Sequence, residues 1–329
     1  TRVRSSAASD VYKRQMEYCP KRKRGLYSAI IQAGYPVAYV VISLFTAAML
    51  FIAPAKGGLH SPYVQWGWRI PFVVGSVIAF LFVLWFRRVP ESKSWEQSEK
   101  TENPVGTLFS DARARATFFQ IFVLMSGFWL SLNATISTLP VVLTKSHLGT
   151  STVTGGLLIA NLVLVGAYLA AGVIGQRIGR RAMLMVLGVL TAGLSSAAYV
   201  LLIQIAPQRS NLVGTIALAT VVTSITVCGW GIMSAYISER FSTGIRASGF
   251  GIGYSLAVVL PAFYSFAMLG MARFMPYRYT QVVLLALGGL LILAGAALGP
   301  ETKDVDLAEP AAPARGPVPA GATRRVSLG

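Results

Sequence analysis

Eight runs of apolar residues, at about 26–53, 70–86, 117–143, 152–175, 182–206, 212–237, 248–271 and 280–299, decide what this chain can fold into. A hydrocarbon core about 30 Å thick takes about 20 residues of apolar helix to cross, and each run is of that order. Inside lipid every backbone N–H and C=O must find its partner within the protein, which leaves helices or closed barrels. The period-2 alternation of a barrel strand is missing from these runs. The expected fold class is therefore all-α, a membrane protein of eight spans. Composition agrees: 54 % of the 329 residues are hydrophobic and 12 % charged, against about a quarter charged in a soluble domain.

The net charge of +17 sits in short clusters between the runs, which reads as topology and not as a nucleic-acid surface. Alternate loops carry Lys21 to Arg24; Arg87, Arg88, Lys93, Lys100, Arg113 and Arg115; Arg177, Arg180 and Arg181; and Arg240 with Arg246. The intervening loops hold scattered cations, Lys56, Lys145, Arg209, Arg273 and Arg278. The positive-inside bias makes the first set cytoplasmic and puts the C-terminus inside. The expected location is the plasma membrane, the inner membrane of a prokaryote, with the lipid bilayer as constant partner and no nucleic acid. Cys19 and Cys228 form neither a disulfide framework nor a metal site, and His60 and His147 stand alone in outer loops. No metal and no cofactor is expected. A membrane-embedded enzyme would need paired acids, a His metal motif or a nucleophile motif, so that reading is weak.

Ser5 to Gln15, reading SSAASDVYKRQ, resembles the translation of a transposase adapter used in sequencing libraries, so residues 1–15 are set aside as an artefact. Beyond it the chain contains a repeat. Glu17 precedes Arg24 by seven positions, and Glu239 precedes Arg246 by the same seven. Arg87-Arg88-Val89-Pro90-Glu91-Ser92 closes the second run, and Gly299-Pro300-Glu301-Thr302-Lys303 closes the eighth. The expected organisation follows: residues 16–92 as the last two helices of one six-helix half, 93–116 as a central cytoplasmic loop, 117–300 as a complete second half, and 301–329 as a disordered cytoplasmic tail. By that alignment about four helices precede the visible ones.

Three stretches, Glu17-Tyr18-Cys19-Pro20-Lys21-Arg22-Lys23-Arg24-Gly25, Trp66-Gly67-Trp68-Arg69-Ile70-Pro71-Phe72 and Pro90-Glu91-Ser92, are similar to the metabolite:proton symporter group of the major facilitator superfamily. The likeness runs from about Met16 to Leu307. It implies the major facilitator fold, here with about eight of twelve helices, and a monomer that carries a small-molecule substrate. The implied substrates are organic acids, shikimate, proline or betaine, with H+ as co-transported ion. Gly172-Val173-Ile174-Gly175-Gln176-Arg177-Ile178-Gly179-Arg180-Arg181 resembles the superfamily's cytoplasmic gate motif. Its glycines, Gly172, Gly175 and Gly179, allow a tight turn and close helix approach. Its cations, Arg177, Arg180 and Arg181, suit helix C-termini and carboxylates. Gln176 stands where the family usually has Asp, which removes a charge partner. Glu239, Arg246, Arg24 and Glu91 complete the expected gate; the alternative for each is a solvated interface anchor.

No Asp, Glu, Lys or His lies in the middle of any run. Proton relays usually need an intramembrane ionisable group, so the resemblance puts coupling in preceding helices, with a uniporter as the alternative. The polar residues inside are neutral. Trp129, Asn133 and Ser137 share one helical face at i, i+4 and i+8; Thr223, Thr226 and Trp230 make another; Gln32, Tyr35 and Tyr39 a third; Asn161 and Tyr168 a weaker fourth. Each face is either part of a substrate-binding wall near the midplane or glue between helices. A sensor of the same fold that does not transport is the remaining alternative function.

Overall fold

The computed structural model describes residues 19–54, 58–87, 103–145, 150–208, 211–242 and 244–305. Among them are eight helices long and apolar enough to cross a membrane: α1 Arg24–Ile52, α2 Tyr63–Phe86, α3 Ala112–Thr144, α4 Thr152–Ile178, α5 Arg180–Ile205, α6 Leu212–Arg240, α7 Arg246–Met271 and α8 Tyr277–Ala297. The described residues form no strand. The eight expected spans and the all-α class are thus both present.

Two boundaries differ from the sequence reading. The stretch 93–116, read as a loop, contains a short helix, Pro104–Ser110, and α3 starts at Ala112, ahead of its apolar run. Hydropathy does not see these starts, but capping chemistry sets them. The Asn103 side chain accepts the Gly106 N–H at 2.8 Å, with Pro104 opening the helix, and Asp111 accepts the Ala114 N–H at 2.8 Å. At the other end, residues 301–305, read as the start of a disordered tail, are docked, with Thr302 buried.

α8 lies between α3 and α5 almost backbone to backbone. A Cβ on Gly127 would sit 2.7 Å from the Gly288 carbonyl oxygen, and one on Gly188 would sit 2.7 Å from the Leu293 nitrogen. Around this seam Ile121, Leu124, Met125 and Phe128 of α3 pack with Leu184 and Leu187 of α5, Tyr236 of α6 and Ile292 of α8. Tyr199, Leu202, Val222 and Leu285 form a second cluster. The first part of α1, Arg24–Gln32, packs on α4 and on the last part of α6. Its remainder, Gly34–Ile52, buries only Pro36 and Met49, and Arg69–Phe86 of α2 buries no side chain.

Six of the eight spans are not uniform helix: α1 is broken at Ala33, and α2 opens with a π-helical turn at Tyr63–Gly67. α3 widens into a π-helical turn at Asn133–Ser137, and α5 does so at Thr191–Ser195. α6 is interrupted at Cys228 and Gly229, and α7 near Ala257 and Phe263. Such irregularities recur at functional sites because they release backbone groups.

Candidate functional site

The α7 interruption begins with proline. Pro261 has no N–H to give the Ala257 carbonyl, and Val258 N turns back to Ser255 O at 3.3 Å instead of reaching the Tyr254 carbonyl. α3 takes up both: Trp129 Nε1 donates to Tyr254 O at 3.0 Å and Ser126 Oγ to Ala257 O at 3.4 Å. α6 breaks at the same level. Gly231 N reaches Cys228 O at 3.0 Å and Ile232 N reaches Gly229 O at 3.2 Å, a tightened turn in place of the α-helical ladder.

The two breaks and α3 enclose a cluster of rings. Trp129 and Trp230 stand edge to face with centroids 4.8 Å apart; Tyr254 is 5.6 Å from Trp129 and 5.7 Å from Trp230; Phe128 is 5.6 Å from Trp230. That geometry puts the positive edge of one ring on the negative face of the next. The Trp230 indole N–H is buried at the centre of this cluster and has no acceptor. Asn133, at the start of the π turn, donates to Trp129 O at 3.0 Å, and Ser137 Oγ lies 3.4 Å from Asn133 Oδ1.

Trp129 and Trp230 are therefore brought together, with Asn133 and Ser137 in a chain leading away along α3. Thr226 is not part of this set: it is buried in the α5–α6 seam, 2.9 Å from Ser195 Oγ, which is the glue arrangement. Thr223 is buried with its hydroxyl unpaired. Gln32 is buried on the packed part of α1, whereas Tyr35 is 44 % exposed and Tyr39 half-buried, so these three do not share one surface. Tyr254, which sequence reasoning missed, joins through its ring and through the carbonyl that accepts from Trp129. Pro261 was the available signal.

The second constellation lies at the basic end of the bundle, where α1, α5 and α7 begin and α4, α6 and α8 end. Gly172 lets α4 touch α1: a Cβ there would be 2.5 Å from Ala29 Cβ and 2.6 Å from the Gly25 carbonyl oxygen. Gly179 sits at φ +107°, a conformation other residues strain to adopt, and the space beside it is filled by the Glu301 carboxylate. Gly175 faces Ile232.

Glu301 caps the start of α5, accepting the backbone N–H groups of Arg180 at 2.8 Å and Arg181 at 3.1 Å. Partial burial pushes its carboxyl up, but the amides of Arg180, Thr302, Lys303 and Arg181 outweigh that and hold it below the ordinary carboxylate value.

Glu239 is the centre of the constellation, with a side chain 0 % exposed. Its Oε1 accepts from Arg24 Nη1 at 3.0 Å and Arg180 Nη2 at 3.1 Å. Its Oε2 accepts from Thr302 Oγ1 at 2.7 Å and lies 2.9 Å from Arg180 Nε. Gln176 Oε1 accepts from Gly25 N at 2.9 Å and Arg180 Nη2 at 3.0 Å, and Arg24 Nη1 also reaches Val305 O at 3.0 Å. One carboxylate thus ties α1, α5, α6 and the segment after α8, and α4 joins through Gln176.

The expectation that a neutral residue 176 leaves this end short of a charge partner needs revision in one respect: Glu239 supplies the buried ion pair and Gln176 stays as an uncharged acceptor. Arg246 is buried, with Nε donating to Phe241 O at 3.2 Å. Arg181 Nη2 reaches Ala297 O at 3.0 Å, and Arg177 is exposed. Glu91 lies outside the described residues. Glu301 and Thr302, quoted from sequence only as a repeated helix ending, turn out to be members. No group of three or more metal-ligating side chains occurs among the described residues.

The sequence profile of the Major Facilitator Superfamily matches residues 15–192, from before α1 into α5. A search of curated proteins finds no match.

Proposed function

The chain belongs to the Major Facilitator Superfamily and is a multi-pass membrane transporter in the general sense of that family; from that premise we propose that it moves a small polar metabolite by alternating access, together with a proton. The Glu239 cluster carries this reading. A transporter of this kind needs a central site and a closure at each end that forms and breaks in turn. Arg24 opens α1, while Arg180, Glu239 and Thr302 belong to α5, α6 and the segment after α8, so opening this end separates α1 from its partners and breaks a buried ion pair. In this proposal the basic end and the C-terminus face the cytoplasm across a prokaryotic plasma membrane, a sidedness that the lysine and arginine bias supports. The arrangement described above is then the inward-closed one.

The substrate-binding wall we assign to Trp129, Asn133, Ser137 and Trp230, with Tyr254 added. A buried indole N–H without an acceptor is costly, and a substrate oxygen would satisfy it. Organic acids, shikimate, proline and betaine all carry such an oxygen beside an apolar body. The protein acts as a monomer in this proposal. The test is uptake of labelled members of that panel into cells expressing the protein, with and without a protonophore. Protonophore-sensitive uptake of one compound is expected. Uptake that ignores the protonophore would remove the proton from the proposal, and no uptake by protein verified in the membrane would overturn the substrate range and favour a sensor.

A further inference from the structure

Among the described residues, the ion cluster at the basic end holds more positive than negative charge. Arg24 and Arg180 have side chains 3 % and 1 % exposed, and both lean on the single carboxylate of Glu239. Adding the neighbours that share the segment after α8 gives three guanidiniums, of Arg24, Arg180 and Arg181, against two carboxylates, of Glu239 and Glu301. Exposed Arg22, Lys23 and Arg177 stand nearby in the chain with Lys303, and among the described residues Asp304 is the further acid of this segment. A guanidinium has five N–H donors and no means of shedding its charge. Here the buried Arg24 Nε, Arg180 Nη1 and Arg181 Nε have no hydrogen-bond acceptor.

Gln176 marks the same deficit. Two donors, Gly25 N and Arg180 Nη2, converge on its Oε1, a position that would suit a charged oxygen better than the neutral amide that fills it. Two buried guanidiniums that share one carboxylate are left with one positive charge uncompensated, a costly arrangement, and the orphaned donors on these arginines mark a place for a further acceptor.

We propose that the cluster binds a small inorganic anion of the chloride class, held by the free N–H groups of Arg180 and Arg24 beside Glu239. The near-complete burial of both arginines selects a monatomic ion over a lipid phosphate or an organic acid. The anion acts as a removable counter-charge: it favours the arrangement in which α1 is tied to α5 and α6, and it leaves when that end opens. The proposal concerns the closed end and not the substrate, so it stands or falls apart from the transport assay above.

The test is thermal unfolding of the purified, substrate-free protein in sodium chloride against sodium gluconate at equal ionic strength. Chloride should raise the melting temperature saturably by about 3 °C, and bromide should replace it. Gln176→Glu, which keeps the shape and supplies the missing charge, should melt higher in gluconate than the parent and lose most of the chloride response. Equal melting of the parent in both salts would overturn the proposal, as would an undiminished chloride response in Gln176→Glu. Should the variant fail to fold, the chloride NMR line decides: it should broaden with the parent protein and sharpen on adding bromide, and a line that never broadens counts against the site.

Discussion

Glu239→Gln should loosen the basic end of the bundle by an amount that can be worked from its contacts. The side chain is fully buried and serves Arg24, Arg180 and Thr302. Gln keeps the shape but leaves two guanidiniums facing no charge. Removing one partner of a buried ion pair costs about 3–5 kcal/mol. Part of that loss bears on α5, α6 and the segment after α8, which stay together in the opening proposed above. The share that bears on closure is the Arg24 contact, because Arg24 belongs to α1. Assigning it about 2 kcal/mol shifts the ratio of open to closed by about thirtyfold.

Ser28 provides the readout. It lies in the α1–α6 seam, 0 % exposed, with Oγ accepting the Ala235 N–H at 3.2 Å. Ser28→Cys is close to isosteric, and Cys19 and Cys228 can be changed to Ser so that the new thiol is alone. Labelling with a maleimide then follows the population of the open form. Glu239→Gln should speed it by about thirtyfold, and adding Arg24→Gln should then change little, because the contact is already gone. Equal labelling rates in two folded proteins would refute the reasoning that Glu239 holds α1.

Other perturbations separate positions that sequence alone treats alike. Gly172→Val places methyl groups where α4 meets α1, an overpacking worth about 1–3 kcal/mol, and should raise Ser28→Cys labelling while leaving the α3–α8 seam intact. Glu301 has a folded carboxyl below its ordinary value, so its capping contribution is full at neutral pH and is lost as pH falls through that depressed value. Glu301→Gln should accordingly flatten the fall in melting temperature on acidification, and an unchanged acid limb would remove Glu301 from the account. Thr226→Val should cost about 0.6 kcal/mol of stability and leave the KM for uptake unchanged, as expected of glue. Trp129→Phe, which removes the indole N–H that donates to the Tyr254 carbonyl, should raise KM severalfold; the reverse pattern for these two would exchange their roles.

The spans were legible because lipid leaves the backbone few choices, so hydropathy alone locates eight helices and their class. What hydropathy does not carry is where a helix stops being regular. The starts at Asn103 and Asp111 were readable from capping chemistry, and Pro261 announced a bend. The consequence of that bend was hidden, since it turns the Tyr254 carbonyl to Trp129, and a search for polar side chains does not find a backbone oxygen. The faces at i, i+4 and i+8 met a similar limit. Trp129 and Trp230 come together because α6 breaks at Gly229, where a Cβ would press on the Phe128 ring. Thr226, on the same nominal stripe but before the break, is turned toward Ser195 instead.

The basic end shows what spacing can and cannot say. The repeat sets Glu239 and Arg246 seven positions apart, and both do lie at one end of the bundle. Those seven positions, however, include the turn from α6 into α7, so the two residues start from different helices. The partner of a buried acid is fixed by which helices adjoin, and the last part of α6 packs closely on the first part of α1. Glu239 therefore meets Arg24, 215 positions away in the chain, and Arg180, while Val305 of the segment after α8 caps Arg24 from 281 positions away. A spacing rule finds residues that share a level; contacts across that level are written in the packing of small residues such as Gly25, Ala29 and Gly172, which let α1 and α4 close to backbone distance. In this chain the charge pairing is a consequence of that packing, so Gly172→Val and Glu239→Gln should loosen the same contact from its two sides.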